Sequence, residues 1–301
     1  MESLNNCPVC NNSQLLPHSS CIDHTVSRET FQIISCSACG FKFTNPRPNA
    51  NEIGKYYEAE EYISHSGTNK GLINKLYALV RSYTIKSKVV LISSLTNSLK
   101  EETRSLLDIG CGTGDFLNAC KQKGWDVTGI EPSEVARKNA KEKFGITPLP
   151  QEKLFDIKEK KFHVITLWHV LEHIYELDKT LQHIQNLLHT NGTLLIAVPN
   201  CNSWDAKKYG THWAAWDVPR HIYHFTENDI QKLFRKYSFR LYKTLPMKFD
   251  SYYVSLLSEK YKTGRSNFIS GFWNGFVSNL NAEKKEYGFS SQIYILKKEI
   301  I

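Results

Sequence analysis

The stretch Ser105-Leu106-Leu107-Asp108-Ile109-Gly110-Cys111-Gly112-Thr113-Gly114-Asp115-Phe116 reads as a buried strand that ends near an acid, turns through three glycines and enters a helix. Its apolar run is of the β type. Gly110, Gly112 and Gly114 permit a turn in which backbone approaches a ligand closely. Trp125 to Ile130 is a second strand-like run, and Glu131 stands at its end, 21 positions after Gly110. In units built as strand, glycine loop, helix and strand, an acid at about that distance grips a nucleotide ribose through its hydroxyls. Loop, second strand and acid together make a stronger signal than glycines alone.

The glycine spacing is G-x-G-x-G rather than the dinucleotide pattern G-x-G-x-x-G, and Asp115 falls where the third glycine of that pattern would be. A helix that opens on an acid is poorly matched to a pyrophosphate and compatible with a cationic ligand. On these residues the sequence resembles class I S-adenosylmethionine (SAM) dependent methyltransferases, whose first motif is an apolar strand, an acid and G-x-G-x-G. The resemblance covers roughly residues 104 to 245 and extends on to 298. Phe162 to His173 is similar to the family's fourth strand and following segment, and Thr193 to Asn200 to its fifth.

The resemblance implies a Rossmann-like α/β sheet with helices on both faces and the last strand inserted antiparallel. It implies that Asp108 organises the loop and the methionine end of SAM, that the three glycines let backbone pack against the cofactor, and that Glu131 accepts from both ribose hydroxyls. Trp168 and His169 fall where the family lines the cofactor pocket, with ordinary core packing as the competing reading. No clear acid follows the third strand to hold an adenine amine, unless Gln151 or Glu152 serves.

A chain of 301 residues, 41% apolar and 12% aromatic, is long enough for one sizeable α/β domain and a small module. The net charge of +8 is spread over amphipathic segments, among them Lys86, Lys88, Lys138, Lys141 and Lys143, so solvated helix faces account for most of it. Charge alone does not argue for nucleic acid. No basic-then-apolar leader and no membrane-spanning run stands in the sequence, and the expectation is a soluble, cytoplasmic protein.

Four of the eight cysteines form two C-x-x-C pairs, Cys7/Cys10 and Cys36/Cys39, with 25 residues between the pairs. Each pair brings two thiolates to one side of a small knuckle, and two knuckles complete a tetrahedral zinc site. Redox-active or free thiols are the alternative, and Cys21 or His24 could substitute as a ligand. The four-cysteine site would be closed, hence structural or partner-binding. So short a unit has almost no core of its own, and metal would supply most of its folding free energy.

The expected organisation is a zinc-ribbon-like module over 1–45, a helical linker or lid over 46–103, and the methyltransferase domain over 104–301. Asn45-Pro46-Arg47-Pro48 marks the first break. Tyr56 and Tyr57 belong to an aromatic, acidic stretch with Glu58, Glu60, Glu61 and Tyr62, which reads as a lid or a packed connector. Helical spacing from Leu72 to Leu99 predicts one or two helices. Further helices are expected up to Phe144, over Leu177 to Leu188, and from a capping box at Thr226 and Asp229. Two aromatic-rich inserts, 200–225 and 246–290, would wall an acceptor pocket at the carboxyl end of the sheet.

A general base is needed only if the acceptor must lose a proton. The candidates lie in Trp216-Asp217-Val218-Pro219-Arg220-His221-Ile222-Tyr223-His224-Phe225. His221 and His224 are the catalytic candidates, an Asp–His pair would fix a tautomer, and Asp217, Arg220 and Trp216 would meet the substrate. The competing reading has the two histidines pinning a loop onto the helix start at Thr226. Glu172 and His173 read as structural.

Methyl transfer to an oxygen or carbon of a small-molecule or carrier-linked acceptor is the leading function. A nucleic-acid or protein acceptor held by the ribbon is the alternative. It is disfavoured for amino-methylation of nucleic acid because Trp168-His169-Val170-Leu171 replaces Asn-Pro-Pro-aromatic. A nicotinamide oxidoreductase is disfavoured by the glycine spacing, a dead cofactor site by the intact Asp108, glycines and Glu131, and radical chemistry by the lack of C-x-x-x-C-x-x-C.

Overall fold

The computed structural model describes residues 1–57, 72–96 and 104–299, with the side chains of the first helix described from residue 79. Three antiparallel strands open the chain: β1 (Leu15–Ile22), β2 (Thr30–Cys36) and β3 (Lys42–Thr44). Helix α1 (Leu72–Leu95) then leads to β4 (Ser105–Ile109), α2 (Asp115–Lys121), β5 (Asp126–Ile130), α3 (Glu134–Phe144) and β6 (Phe162–Trp168). They are followed by α4 (Leu177–Leu187), β7 (Leu188–Pro199), α5 (Trp204–Tyr209), β8 (Tyr223–His224) and α6 (Glu227–Arg235). The chain closes with β9 (Phe239–Pro246), α7 (Asp250–Thr263), α8 (Phe268–Glu283) and β10 (Ser291–Lys298).

The main sheet has the order β5-β4-β6-β7-β10-β9. β4 to β7 are mutually parallel, and β10 runs antiparallel to both β7 and β9, as the resemblance implied. Every residue of β4 is buried, and β6 and β7 carry long buried runs, because helices cover both faces of a parallel sheet. Each fully buried leucine or isoleucine there contributes on the order of 1.5–3 kcal/mol. The residue types at the joints act as expected. Ser133 caps α3 by accepting from Ala136 N, Gly145 ends it at φ +62°, and Thr226 and Asp229 form a reciprocal capping box on α6.

One boundary differs. β7 begins at Leu188, so the last residue of the helix expected over Leu177 to Leu188 instead opens a strand that runs through Asn191-Gly192. Leu188 pairs with Phe162, and the register slips before Val164 meets Thr193, so the extra residues are absorbed as an irregularity at the strand's start.

The amino-terminal unit is more deeply built in than its sequence suggests. β3 pairs with β8, a strand from the 200–225 insert, with Lys42 opposite His224 and Phe43 opposite Tyr223. Phe41 and Phe43 are fully buried, and Phe41 packs against Tyr223 and Phe225 at ring distances of 6.0 and 5.4 Å. The expectation of a unit almost without a core is therefore corrected: Phe41 and Phe43 belong to the same apolar cluster as Leu107, Ile165 and Leu194. Arg47, at the expected break, is buried with its guanidinium 4.7 Å from the Tyr175 ring and donates to Tyr223 Oη at 3.1 Å.

Candidate functional site

The glycine loop leaves the carboxyl end of β4 with Gly110, Gly112 and Gly114 at φ +75°, +53° and +77°. That conformation favours glycine at each position. Space adds a second constraint at Gly110, where a Cβ would sit 2.3 Å from Val170 Cγ2. Nothing described lies within 4 Å of the position a Cβ would take on Gly112, so backbone is open to a ligand there. Glu131 closes the cradle. Its Oε2 accepts from Gly112 N at 2.8 Å and its Oε1 from Ser133 N at 2.9 Å, so the carboxylate is aimed from both sides. A carboxylate offers about four acceptor positions, so two remain for hydroxyl donors.

Asp108 is buried at the end of β4 and accepts from Thr166 Oγ1 at 2.6 Å. Burial pushes its carboxyl up to about 7, against the pull of the Thr166 hydroxyl and the Lys88 ammonium. Lys88 itself corrects an expectation. It does not lie on a solvated face: its Nζ stands 4.1 Å from the centre of the Trp168 ring, and burial lowers its pKa against the attraction of Asp108 and Asp250. Arg81, two turns earlier on α1, pairs with Asp115 Oδ2 at 2.8 Å and donates to Thr113 at 3.3 Å. Two basic residues seven positions apart thus bring one face of α1 onto the loop, a spacing visible in the sequence but without a sign of its target.

Trp168 ends β6 with its ring edge-on to Phe116 at 5.7 Å, and its buried Nε1 has no hydrogen-bond partner among the described residues. His169 follows at φ +57°. Its ring sits between two carboxylates, Nδ1 3.4 Å from Glu172 Oε1 and Nε2 3.1 Å from Asp250 Oδ2. Burial pulls this imidazole down, but Asp250 and Glu172 outweigh burial and push it up to about 10. His169 thereby ties the sheet end to the first residue of α7. Gln151 and Glu152 lie exposed in a turn after Leu149, which bridges to Ile130 beside β5.

Beyond Val170 stands a second constellation, in which Glu172 and His173, expected to be structural, meet the catalytic candidate His221. Glu172 is 1% exposed, yet neither carboxylate oxygen has a partner at hydrogen-bond geometry among the described residues. Its lowered pKa reflects the surrounding His169, His173 and His221 working against burial. Glu172, His173 and His221 each place one ligand-type atom within 4.8 Å of the others. His221 Nδ1 lies 2.9 Å from the Ala215 carbonyl and donates to it, which leaves Nε2 facing Glu172 Oε1 at 4.0 Å and Asp217 Oδ2 at 3.8 Å. His173 Nδ1 lies 2.9 Å from the Arg220 carbonyl and 3.0 Å from Tyr57 Oη. Burial and the neighbouring His221 lower His173 to about 4. A buried, unsatisfied carboxylate beside imidazoles is costly to keep, and such groups concentrate at functional sites. The Leu-Glu-His segment after β6 was its sequence signal.

The remaining candidates are placed elsewhere. His224 is buried, 3.1 Å from Thr44 Oγ1 and edge-on to Trp216, with its pKa held well below the usual value by burial. Trp216 is buried and donates from Nε1 to Gly210 O at 2.8 Å. Arg220 is 1% exposed, donating to Asp217 at 2.6 and 3.0 Å, to Tyr56 O at 2.8 Å, to Asp23 at 3.2 Å and to Thr25 at 2.9 Å. All three are enclosed, and their contacts with Thr44, Asp23, Thr25, Tyr56 and His18 join the 200–225 insert to the amino-terminal part of the chain. Asp217 shares its carboxylate between Arg220 and the His221 side of the site. Of the expected lid, Tyr56 is buried and donates to Glu29 at 2.7 Å, while Glu58, Glu60, Glu61 and Tyr62 lie outside the described residues.

Cys7, Cys10, Cys36 and Cys39 converge, with Sγ–Sγ separations of 3.6 Å for Cys7/Cys39 and 3.4 Å for Cys10/Cys36. Bonds of about 2.3 Å in a tetrahedral thiolate site put sulfurs about 3.8 Å apart, so the donor set fits zinc. Burial raises the Cys36 thiol, but the backbone N–H groups of Cys39 and Ala38 prevail and bring it down to about 7. Cys21 and His24 stand apart: Cys21 is buried in another cluster, and His24 stacks on Tyr261 at 4.3 Å.

A parallel sheet with an antiparallel last strand, a three-glycine loop and an acid at the end of the second strand define a class I methyltransferase fold. The chain belongs to the methyltransferase domain family, whose model matches residues 81–244. It is similar to a ubiquinone biosynthesis O-methyltransferase of Pelagibacter ubique, 33% identical over 161 residues, 50% of this chain and 65% of that protein. A protein of the same description from Histophilus somni is 34% identical over 120 residues, 36% of this chain and 50% of the other. The chain thus spans less than two-thirds of the length of these relatives. In fold it is similar to magnesium protoporphyrin IX methyltransferase from Synechocystis PCC 6803, with a TM-score of 0.50, 15% identity, and coverage of 81% of this chain and 97% of the other.

Proposed function

We propose that the protein is a SAM-dependent methyltransferase acting on an oxygen or carbon of a small-molecule or carrier-linked acceptor. The observation that carries this reading is the Glu131 carboxylate, aimed by Gly112 N and Ser133 N beside open backbone at Gly112. SAM would supply an activated methyl group on a sulfonium, so alignment is most of what the protein must add. Glu131 would hold the ribose hydroxyls, the glycine loop would pack backbone against the cofactor, and Asp108, a carboxylate in the buried floor of the cradle, would organise the loop and the methionine end. Trp168, with its unpartnered Nε1, walls the pocket.

The acceptor side lies at Glu172 and His221. His221 Nε2 takes the proton of an acceptor hydroxyl or carbon acid, and Glu172 and Asp217 hold the resulting charge. The description of the sequence relatives as O-methyltransferases supports an oxygen acceptor. The same Glu172, His173 and His221 set has the donor chemistry for a divalent cation. Zinc in the four-cysteine cluster is structural, since four thiolates leave no open position.

Calorimetric titration with SAM, S-adenosylhomocysteine and NADH tests the cofactor. Binding of the first two and not the third supports the reading, and binding of NADH alone sinks it. Glu131→Ala should weaken SAM binding by roughly ten- to a hundredfold, the loss of one or two charge-assisted hydrogen bonds.

A further inference from the structure

The hairpin formed by α7 and α8 is inside out. The residues of α8 that face the protein are small or polar, among them Gly271, Asn274, Gly275 and Ser278. Those that face outward are Phe268, Ile269, Phe272, Trp273, Phe276 and Leu280, with exposures from 38% to 85%. The helix cannot be turned to hide them, because its inner polar groups are engaged. Asn274 Nδ2 donates to Tyr209 Oη and to Glu259 Oε1, each at 2.9 Å, and Ser278 Oγ donates to Asp205 Oδ1 at 2.7 Å. A Cβ on Gly271 would stand 2.8 Å from Leu256 Cα, and one on Gly275 would stand 2.7 Å from Tyr252 Cα. Small residues four apart that bring two helices into backbone contact, with bulky apolar groups outside, make the packing pattern of helices bathed in lipid.

The surrounding charge selects the partner. Between residues 260 and 285 the basic residues are Lys260, Lys262, Arg265, Lys284 and Lys285, all exposed, and the one acid is Glu283, which pairs with Lys248 at 2.6 Å. α8 has 16 residues, about 24 Å at 1.5 Å per residue, short of the ~30 Å hydrocarbon core. No helix among the described residues is long and apolar enough to cross a membrane. A helix of this length with an aromatic face and basic ends lies in the interface plane.

We propose that the α7–α8 hairpin docks the protein on the surface of an anionic phospholipid bilayer. Asp250, the first residue of α7, contacts His169 at the end of β6, so the docked hairpin brings the site beside the bilayer. An amphiphilic acceptor presented from the membrane follows, and this last step rests on the methyltransferase reading.

The test is co-sedimentation of the full chain with phosphatidylglycerol-containing vesicles and with phosphatidylcholine vesicles. An Ile269→Ser, Trp273→Ser double variant is run beside it, and both proteins are characterised by analytical ultracentrifugation. The expected result is binding to the anionic vesicles, weakened by salt and reduced roughly tenfold or more in the variant, whose exposed positions leave its melting temperature unchanged. Failure of the wild type to bind overturns the proposal. Equal binding to neutral vesicles overturns the anionic surface. A wild-type dimer that the double substitution dissolves assigns the face to a second copy and overturns lipid docking. SAM titration of the same two samples reports the cofactor site independently, so failure of docking and failure of the methyltransferase reading are told apart.

Discussion

The Nε2 of His169 lies 3.1 Å from Oδ2 of Asp250, joining the end of β6 to the first residue of α7, 81 positions later. The histidine's pKa is raised from its ordinary 6.5 to about 10, chiefly because the Asp250 and Glu172 carboxylates outweigh burial. A group raised in the folded state contributes stability that is fully present below the unfolded pKa and is lost as pH rises through the folded value. The pair should therefore hold at neutral pH and fade as pH rises toward 10. Both side chains are partly exposed, so Asp250→Asn should cost on the order of 1 kcal/mol or less. Melting curves of wild type and variant across this range should converge at the alkaline end, and a constant gap would remove the ion pair from the account.

Asp108 gives a second pH signature, of the same sign but in a lower window. Its carboxyl rises from 3.8 to about 7 through burial, so the folded protein prefers it protonated and is penalised progressively as pH climbs between those values. A sulfonium nearby favours the charged carboxylate. SAM affinity should then increase as pH rises toward about 7 and level off above it, with proton release on binding below that value, and Asp108→Asn should flatten that profile and weaken binding about tenfold. Calorimetry in buffers of different ionisation heat measures the proton directly. Absence of proton release in the wild type would detach Asp108 from the cofactor.

Glu172→Gln and His221→Asn should lower kcat by about 10²–10⁴ while leaving the dissociation constant of SAM unchanged. His224→Asn should instead lower the melting temperature, because His224 is enclosed against Thr44 and Trp216. A large kcat loss in His224→Asn at unchanged stability would return the catalytic role to that residue. Equal SAM weakening in all three variants would place none of them on the acceptor side.

His173 makes the same site sensitive to acid. It is lowered from 6.5 to about 4 by burial and by His221, so the unfolded chain binds its proton first. Stability attributable to this group should fall as pH drops from about 6.5 to about 4. His173→Gln should be less acid-sensitive over that window in a denaturant series, and an unaltered pH slope would show that the histidine is solvated.

Cys36→Ser should release close to one zinc per chain, read by elemental analysis. Phe41 and Phe43 lie in the main core, so the damage should not stop at the amino-terminal unit. Loss of the cluster should lower the melting temperature of the whole protein by several degrees, at roughly 2–4 °C per kcal/mol for a domain of this size. An independent low-temperature transition with an unchanged main one would mean that the unit unfolds alone.

The local chemistry of the chain was legible without the structure. Strand, glycine turn and acid from Ser105 to Glu131 require only adjacent residues and backbone conformations, and the three glycines do take positive φ. The C-x-x-C pairs and the capping box at Thr226 are local in the same sense, because their spacing fixes their geometry. What the tertiary structure decided is which polar groups end up enclosed. Arg220 and His224 have the same sequence neighbourhood as His221, yet Arg220 is spent on Asp23, nearly two hundred positions away, and His224 on Thr44. Lys88 reads as one more solvated lysine until α1 lies over Trp168. Glu172 becomes an unsatisfied carboxylate only when the insert folds back to bring His221 beside it. Burial and long-range pairing depend on distances between segments far apart in the chain, whereas turn conformation and metal-ligand spacing are set within a few residues.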